Sequence, residues 1–239
     1  MAGRKFAILG YPLGHTMSPV IHKRLFEMSG KPGAYEVCEI APEDLEKSIG
    51  GLKQLDGFNV TIPHKLSVIR YLDGLSESAS RYGAVNTVAC GARCIGHNTD
   101  VDGFVRTIEK SRASLCSRVL LLGAGGAARM MAIETARNGG ALTIAVRESD
   151  LPVAETVRAD CLQQKPDADV QITELSQIHG EYDLLLQATP VGMYPHTGAC
   201  VVPDEVIRSC GCVFDAIYNP SETLLMKKRG RWVSRRWAA

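Results

Sequence analysis

Residues 118–146 read RVLLLGAGGAARMMAIETARNGGALTIAV, in which two apolar runs flank a glycine-rich turn and a mixed segment. This stretch predicts an apolar strand over 118–122, a glycine-rich turn, a helix that ends near residue 138, and a second strand over 141–146. A strand, a helix and a parallel strand in this order form a βαβ unit. Glycine turns of this kind place backbone N–H groups at a helix N-terminus, where they bind the pyrophosphate of a dinucleotide. The sequence therefore predicts an α/β dinucleotide-binding domain.

The turn follows the pattern Gly-x-Gly-x-x-Gly with alanine in the third position. The residues predicted to bind the pyrophosphate are Gly123, Ala124, Gly125, Gly126 and Ala127. The second strand runs directly into Arg147, where an acid would bind a ribose 2′-hydroxyl, so the sequence favours the 2′-phosphate of NADP. Two alternatives stay open: Arg147 is a solvated loop residue, or Glu148 beside it repels the phosphate and NAD is accepted.

Composition and charge exclude several classes of protein. The chain has 239 residues, 45% hydrophobic and 22% charged, which is enough for two domains with their own cores. The net charge is +1, but the six basic residues within 227–239 leave residues 1–226 at −5, so nucleic-acid binding is not expected. No apolar run approaches the roughly 20 residues that cross a bilayer, and the eight cysteines show no metal-ligand spacing. We expect a cytoplasmic protein without a metal site or membrane contact.

The rest of the chain also alternates between strands and helices, with no flexible linker or internal repeat. The pattern predicts strands near residues 5–10, 34–40 and 57–62, and a hairpin around Gly91. Ser18-Pro19 predicts a helix start with Ser18 as the N-cap. A change of pattern near residue 101 divides the chain. We expect an N-terminal α/β substrate-binding and catalytic domain over 1–100, a Rossmann-type doubly wound domain over 101–229, and a basic tail over 230–239.

Polar side chains cluster where strands of the first domain are predicted to end. Thr16 and Ser18 lie beside a helix start and suit a small carboxylate. Lys65 and Asp100 are acid–base candidates, since a lysine beside a carboxylate stays cationic and can protonate an oxygen. The structural alternatives are a helix cap for Ser18, a surface ion pair for Lys65 and Asp100, and a turn residue for Asn86.

Taken together, these clusters resemble the shikimate dehydrogenase family, in order from about Lys5 to Gly230. The segments that carry the resemblance are Gly-Tyr-Pro-Leu-Gly-His-Thr-Met-Ser-Pro over 10–19, Gly-Phe-Asn-Val-Thr-Ile-Pro-His-Lys over 57–65, Gly-Ala-Val-Asn-Thr over 83–87, Asn-Thr-Asp over 98–100, the glycine turn, Ala-Thr-Pro-Val-Gly-Met over 188–193, and Asp-Ala-Ile-Tyr-Asn-Pro over 215–220.

The resemblance implies an enzyme that reduces 3-dehydroshikimate to shikimate with NADPH in a cleft between the domains. By the same resemblance, Lys65 and Asp100 are the catalytic pair, and the substrate is bound by Thr16, Ser18, Thr61, Asn86 and Tyr218. The turn and Arg147 are expected to bind the cofactor, together with Glu77, Thr189 and Ala216. The implied partner is the small-molecule substrate, and the expected state is a monomer or a homodimer.

Three departures from the family pattern define the alternatives. Thr16 replaces the usual serine, which adds a methyl group that can shift the selectivity between shikimate and quinate. Val146-Arg147-Glu148 replaces Asn-Arg-Thr. The chain also lacks the family's Gly-x-x-Met-Leu-x-x-Gln segment and closing helix. The alternatives are therefore a quinate/shikimate dehydrogenase that uses NAD, or a catalytically impaired nucleotide-binding protein without the C-terminal Gln and helix.

Overall fold

The computed structural model describes residues 3–14, 16–111 and 113–230. Over these residues the chain forms two compact units, one ending at Asp100 and one beginning at Val101. Each unit contains its own β-sheet. The predicted basic tail lies outside the described residues apart from Gly230, so the expectation about it stays a prediction.

The first unit contains a six-stranded mixed sheet. Its strands are β1 (Arg4–Gly10), β2 (Gly33–Glu39), β3 (Gly57–Val60), β4 (Gly74–Leu75), β5 (Thr87–Ala89) and β6 (Ile95–His97), in the order β2-β1-β3-β5-β6-β4. β1 pairs in parallel with β2 and β3, whereas β5 runs antiparallel to β3 and forms the predicted hairpin with β6. Because of this reversal, the end of β3, the start of β5 and the end of β6 all lie at one edge of the sheet.

Four helices accompany this sheet. They are α1 (Ser18–Ser29), α2 (Leu45–Leu52), α3 (His64–Ser67) and α4 (Glu77–Tyr82). Short 3-10 helices precede α2 (Pro42–Asp44) and follow α3 (Val68–Tyr71). The buried face of α2 packs into a core with the strands, in which Leu45, Phe58 and Val88 are at most 2% exposed. The first unit therefore has an independent apolar core.

The start of α1 differs from the prediction. Ser18 is the first residue of the helix, and the N-cap position belongs to Met17, whose backbone angles are φ −86° and ψ −8°. The Ser18 N–H donates to the Thr16 Oγ1 atom over 3.3 Å. A threonine hydroxyl two residues earlier therefore accepts from one of the free N–H groups at this helix end.

The second unit is a doubly wound parallel α/β structure. Its strands are β7 (Arg118–Leu122), β8 (Ala141–Val146), β9 (Val170–Glu174), β10 (Tyr182–Gln187) and β11 (Cys210–Asp215). They lie in the order β11-β10-β7-β8-β9 and are parallel throughout. This is the strand order of dinucleotide-binding domains, in which ligands bind beyond the carboxyl ends of the strands where the winding reverses. The predicted fold class is confirmed.

The helices of the second unit are α5 (Asp100–Lys110), α6 (Gly126–Arg137), α7 (Leu151–Gln164), α8 (Asp204–Arg208) and α9 (Leu224–Arg229), and the first residue of α5 is the last residue of the first unit. The central strand β7 is fully buried from Val119 to Leu122, as its continuous apolar run predicts. Phe104 of α5 packs edge-on against Phe214 of β11, with ring centroids 5.3 Å apart. Among the described residues, none of the helices is both long and apolar enough to span a membrane.

Candidate active site

Lys65 and Asp100 meet at the edge of the first sheet where β3 and β6 end. The Lys65 Nζ atom lies 2.6 Å from Asp100 Oδ2, and the two side chains are 33% and 36% exposed. Lys65 is the second residue of α3, and its carbonyl accepts a hydrogen bond from the Val85 N–H over 2.8 Å. Lys65 and Asp100 therefore form an ion pair that still reaches solvent.

Asn86 fixes the carboxylate of this pair. Its Nδ2 atom donates to Asp100 Oδ1 over 2.7 Å, while its Oδ1 atom accepts from the Thr99 N–H over 2.9 Å. The Asn98 side chain is 4% exposed and accepts from the Asp100 N–H over 3.1 Å. The structure thus brings together three predicted residues, Lys65, Asn86 and Asp100, and adds Asn98, which the sequence analysis did not single out.

The hydroxyls of Thr16, Ser18 and Thr61 lie just beyond two adjacent parallel strands, Thr16 and Thr61 in loops and Ser18 at the start of α1. Thr16 is half-buried and Ser18 is 6% exposed. Thr61 follows β3, and its N–H donates to the Leu9 carbonyl of β1 over 2.8 Å. A Cβ on Gly10 would lie only 2.5 Å from Thr61 Cγ2, so the last residue of β1 passes close to the Thr61 side chain. All three predicted hydroxyls therefore follow the carboxyl ends of β1 and β3.

A chain of partly buried polar side chains, which was not predicted from the sequence, braces the same unit. The Tyr35 hydroxyl donates to Asn59 Oδ1 over 2.7 Å, and Asn59 Nδ2 donates to Thr87 Oγ1 over 3.2 Å. His22 stacks on the Tyr35 ring with centroids 3.9 Å apart. Burial raises the pKa of Tyr35 to about 12, so its hydroxyl stays protonated as a donor. Tyr35 alternates with the exposed Glu36 along β2, and that alternation was the available signal.

The glycine turn after β7 has the shape of an anion cradle. Gly123 has φ +104°, a backbone conformation that L side chains rarely adopt. A Cβ on Gly125 or Gly126 would meet nothing within 4 Å, so the space in front of the α6 N-terminus is open. Ala127 is exposed and Ala128 is fully buried, which matches a motif whose early residues approach a ligand and whose last residue packs. These residues fit the pyrophosphate of a dinucleotide, including NADP.

Gly123 and Thr189, two predicted cofactor residues, lie together where the winding of the sheet reverses. A Cβ on Gly123 would be 3.0 Å from Thr189 Cγ2. Gln187, only 1% exposed, accepts from the Thr189 N–H and hydroxyl over 3.2 and 3.1 Å and donates to the Val191 carbonyl over 3.1 Å. Gln187 was not predicted, although a glutamine directly after the apolar run 184–186 was the signal for it.

The remaining predicted residues stand at separate positions. Ala216 follows β11, and its N–H donates to the Gln187 carbonyl over 3.0 Å. Tyr218, two residues further, is 59% exposed. Arg147 directly follows β8, and Glu77 begins α4 and pairs with Arg81. Glu77 is 86% exposed, and its role in cofactor binding stays a prediction.

Comparison with known proteins places these sites in context. The family model of the shikimate dehydrogenase substrate binding domain matches residues 8–88. The shikimate dehydrogenase (NADP(+)) of Caldanaerobacter subterraneus is 40% identical over 229 residues, which cover 93% of this chain and 81% of the relative.

Solved structures agree with this match. A crystal structure of a shikimate dehydrogenase in complex with NADP+ has a TM-score of 0.86 and 34% identity, over 95% of this chain and 81% of the other. A quinate dehydrogenase from Corynebacterium glutamicum, solved with NAD, has a TM-score of 0.85 and 27% identity, over 95% of this chain and 85% of the other. From the identity and coverage of the first relative, the chain belongs to the shikimate dehydrogenase family.

Proposed function

We propose that this chain is an NADP-dependent shikimate dehydrogenase that interconverts shikimate and 3-dehydroshikimate. The observation that carries the proposal is the arrangement of Lys65, Asp100 and Asn86 at one strand edge, in a chain that also has an open glycine cradle. Its relatives include NADP(+)-dependent shikimate dehydrogenases. The cytoplasmic location and the monomeric or homodimeric state stay predictions.

Lys65 and Asp100 are proposed to transfer the proton that the reaction adds to or removes from the substrate oxygen. In the direction of reduction, the C3 carbonyl carbon of the substrate would receive the hydride that NADPH supplies when it is bound. The Lys65 ammonium donates its proton to the C3 oxygen, which becomes the hydroxyl of shikimate. Asp100, 2.6 Å from Nζ, orients the ammonium for the transfer, and Asn86 keeps the carboxylate in place. In the direction of oxidation, the Lys65 amine takes the same proton back.

The other polar residues are proposed to orient the two ligands. Thr16 and Ser18 bind the substrate carboxylate, and Thr61 and Tyr218 contact the ring or its hydroxyls. The cradle over 123–127 would hold the pyrophosphate, because Gly125 and Gly126 at the α6 N-terminus have no Cβ that would block an anion and face open space. Arg147 would meet the 2′-phosphate, and Glu77, Thr189 and Ala216 would line the rest of the cofactor site.

A second candidate activity is the oxidation of quinate with NAD. It is favoured by Asp150, which pairs with Arg147 and offsets the charge that would attract a 2′-phosphate. Thr16 in place of serine adds a change on the substrate side. The similar fold of the quinate dehydrogenase from Corynebacterium glutamicum is compatible with this activity.

Initial rates on the purified chain test both proposals. Shikimate and quinate are each assayed with NADP and with NAD, and formation of the reduced cofactor is followed by absorbance. We expect the highest kcat/KM with shikimate and NADP. A higher kcat/KM with quinate and NAD would establish the second candidate. No turnover with any of the four combinations, in a preparation with a cooperative thermal transition, would refute both.

A further inference from the structure

The turn after β8 carries more negative than positive charge. Residues 147–150 read Arg-Glu-Ser-Asp and fold as a short 3-10 helix, Glu148–Asp150, that leads into α7. One cation and two anions give this turn a net charge of −1. The next basic residue along the chain is Arg158, which pairs with Glu155 at 3.3 Å. The turn and the start of α7 therefore contribute no second cation beside Arg147.

Asp150 binds the guanidinium of Arg147 directly. Arg147 Nε donates to Asp150 Oδ2 over 2.7 Å, and the Asp150 N–H donates to the Arg147 carbonyl over 2.9 Å, so backbone and side chain both close the turn. The bond to Asp150 raises the pKa of Arg147 above its usual value. The Arg147 side chain is 74% exposed and the Asp150 side chain 35%. The Arg147 guanidinium is open to solvent, but its Nε–H is already bonded to the Asp150 carboxylate.

A phosphate has two ways to approach this guanidinium. The strongest arginine–phosphate contacts are bidentate and use two parallel N–H groups. If the contact includes Nε, the phosphate must displace Asp150. If it uses only the terminal nitrogens, it lies within a few ångströms of the Asp150 carboxylate and is repelled by it. Both approaches weaken the binding of a dianionic 2′-phosphate, whereas a 2′-hydroxyl, which is uncharged, loses little.

We propose that Asp150 is a specificity-determining residue that lowers the preference of this chain for NADP over NAD, with Glu148 adding to the same effect. The inference rests on the proposed dinucleotide binding but not on the identity of the oxidised substrate. The relative affinity for NADP and NAD, which the sequence leaves open at Arg147, then depends on the Asp150 carboxylate.

Direct binding to the purified full-length chain tests the inference. The dissociation constants of NADPH and NADH are measured by fluorescence titration for the wild type and for Asp150→Asn. Asparagine keeps an oxygen that can accept from Arg147 Nε, so the variant removes the charge and preserves the turn. We expect NADPH to bind about three- to tenfold more tightly and NADH to change less than about twofold, with the gain shrinking as salt rises.

Asp183→Asn is the matched control. Asp183 is also an exposed aspartate paired with an arginine, Arg118, at 3.3 Å, but it lies near the start of β10, away from the carboxyl ends of the strands. Its removal should leave both dissociation constants unchanged. Unchanged or weaker NADPH binding by Asp150→Asn would overturn the inference, because it would mean that the carboxylate does not oppose the phosphate or that it orients Arg147 for it.

The same measurements separate this inference from the proposed function. If the wild type binds both dinucleotides but does not oxidise shikimate, the substrate assignment fails and the role of Asp150 is still decided by the titrations. If the wild type binds neither dinucleotide, the proposed function and the inference both fail. Shikimate turnover with NADP, together with an unaltered NADPH affinity in Asp150→Asn, overturns the inference alone.

Discussion

Replacing Lys65 with methionine separates a catalytic role from a structural one. The variant keeps most of the side-chain length and removes the charge and the proton. Asp100 remains held by Asn86 at 2.7 Å and by its own backbone bond to Asn98 at 3.1 Å, so the carboxylate should not move far. The expected effects on stability and on turnover therefore differ in size.

The size of each effect follows from the exposure of the pair. Lys65 and Asp100 are 33% and 36% exposed, and ion pairs with this much solvent access contribute about 0–1 kcal/mol to folding. Lys65→Met should therefore lower Tm by no more than about 4 °C in a chain of this size. A lost general acid–base typically costs about 10²- to 10⁴-fold in kcat. That loss corresponds to about 2.7–5.4 kcal/mol of transition-state stabilisation, well above the effect on folding.

The assay is kcat for shikimate at saturating NADP, with Tm measured on the same preparations. Lys53→Met is the matched control, since Lys53 pairs with Asp73 at 3.9 Å and is 29% exposed, without belonging to the proposed site. Its kcat should stay within about twofold of the wild type, because it removes no group from the proposed proton path. A Lys65→Met enzyme with a kcat within about threefold of the wild type would refute the assignment of Lys65 as the proton donor.

Four further variants probe other parts of the molecule. Gly125→Val, at a position where a Cβ meets nothing within 4 Å, should keep its Tm but bind NADPH at least about tenfold more weakly by titration. In Gly140→Ala the added Cβ would lie 2.1 Å from the Leu115 carbonyl oxygen. That variant should instead lose about 1–3 kcal/mol of unfolding free energy, which a lower Tm would show. Ser18→Ala should raise KM for shikimate about tenfold with kcat nearly unchanged, because the carboxylate that it is proposed to bind keeps its charge through the reaction; a fall in kcat alone would contradict that role. Burial raises the pKa of Asp215, so the contribution of this group to stability is full below its unfolded pKa and declines as pH rises through the higher native pKa. Asp215→Asn should flatten that decline in a series of Tm measurements just above pH 4. A slope of Tm against pH that matches the wild type would contradict this role of Asp215.

Much of the second unit could be predicted from local sequence. The strands β7 and β8 have the predicted bounds, because each is a continuous apolar run delimited by glycine or charge. In the first unit, the hairpin around Gly91 was also predicted, because two short strand-forming stretches flank a glycine. The two-residue strand β4 was not predicted, since a pairing of that length leaves no period in the sequence.

The candidate site was predicted only in part, because its contacts depend on topology. Lys65 and Asp100 are 35 residues apart, and only the reversed direction of β5 brings them to one edge. The resemblance named both residues without their geometry. For the bonds from Tyr35 to Asn59 and from Gln187 to Thr189, the strand pattern marks Tyr35 and Gln187 as unusual, but nothing in the sequence names the partner of either side chain.

The β5–β6 hairpin has a consequence for how this enzyme can be modified. Its two strands leave the Asn86 edge and return to it, so the turn that joins them, residues 91–93, lies at the far end of the hairpin. That turn is exposed, and a Cβ on Gly91 meets nothing within 4 Å. A peptide tag or a dye-labelled residue inserted at Gly91 would lengthen the hairpin at its tip while the register from Thr87 to His97 stays intact. The tip is therefore a place to attach a reporter to this unit without touching the groups that would carry the reaction.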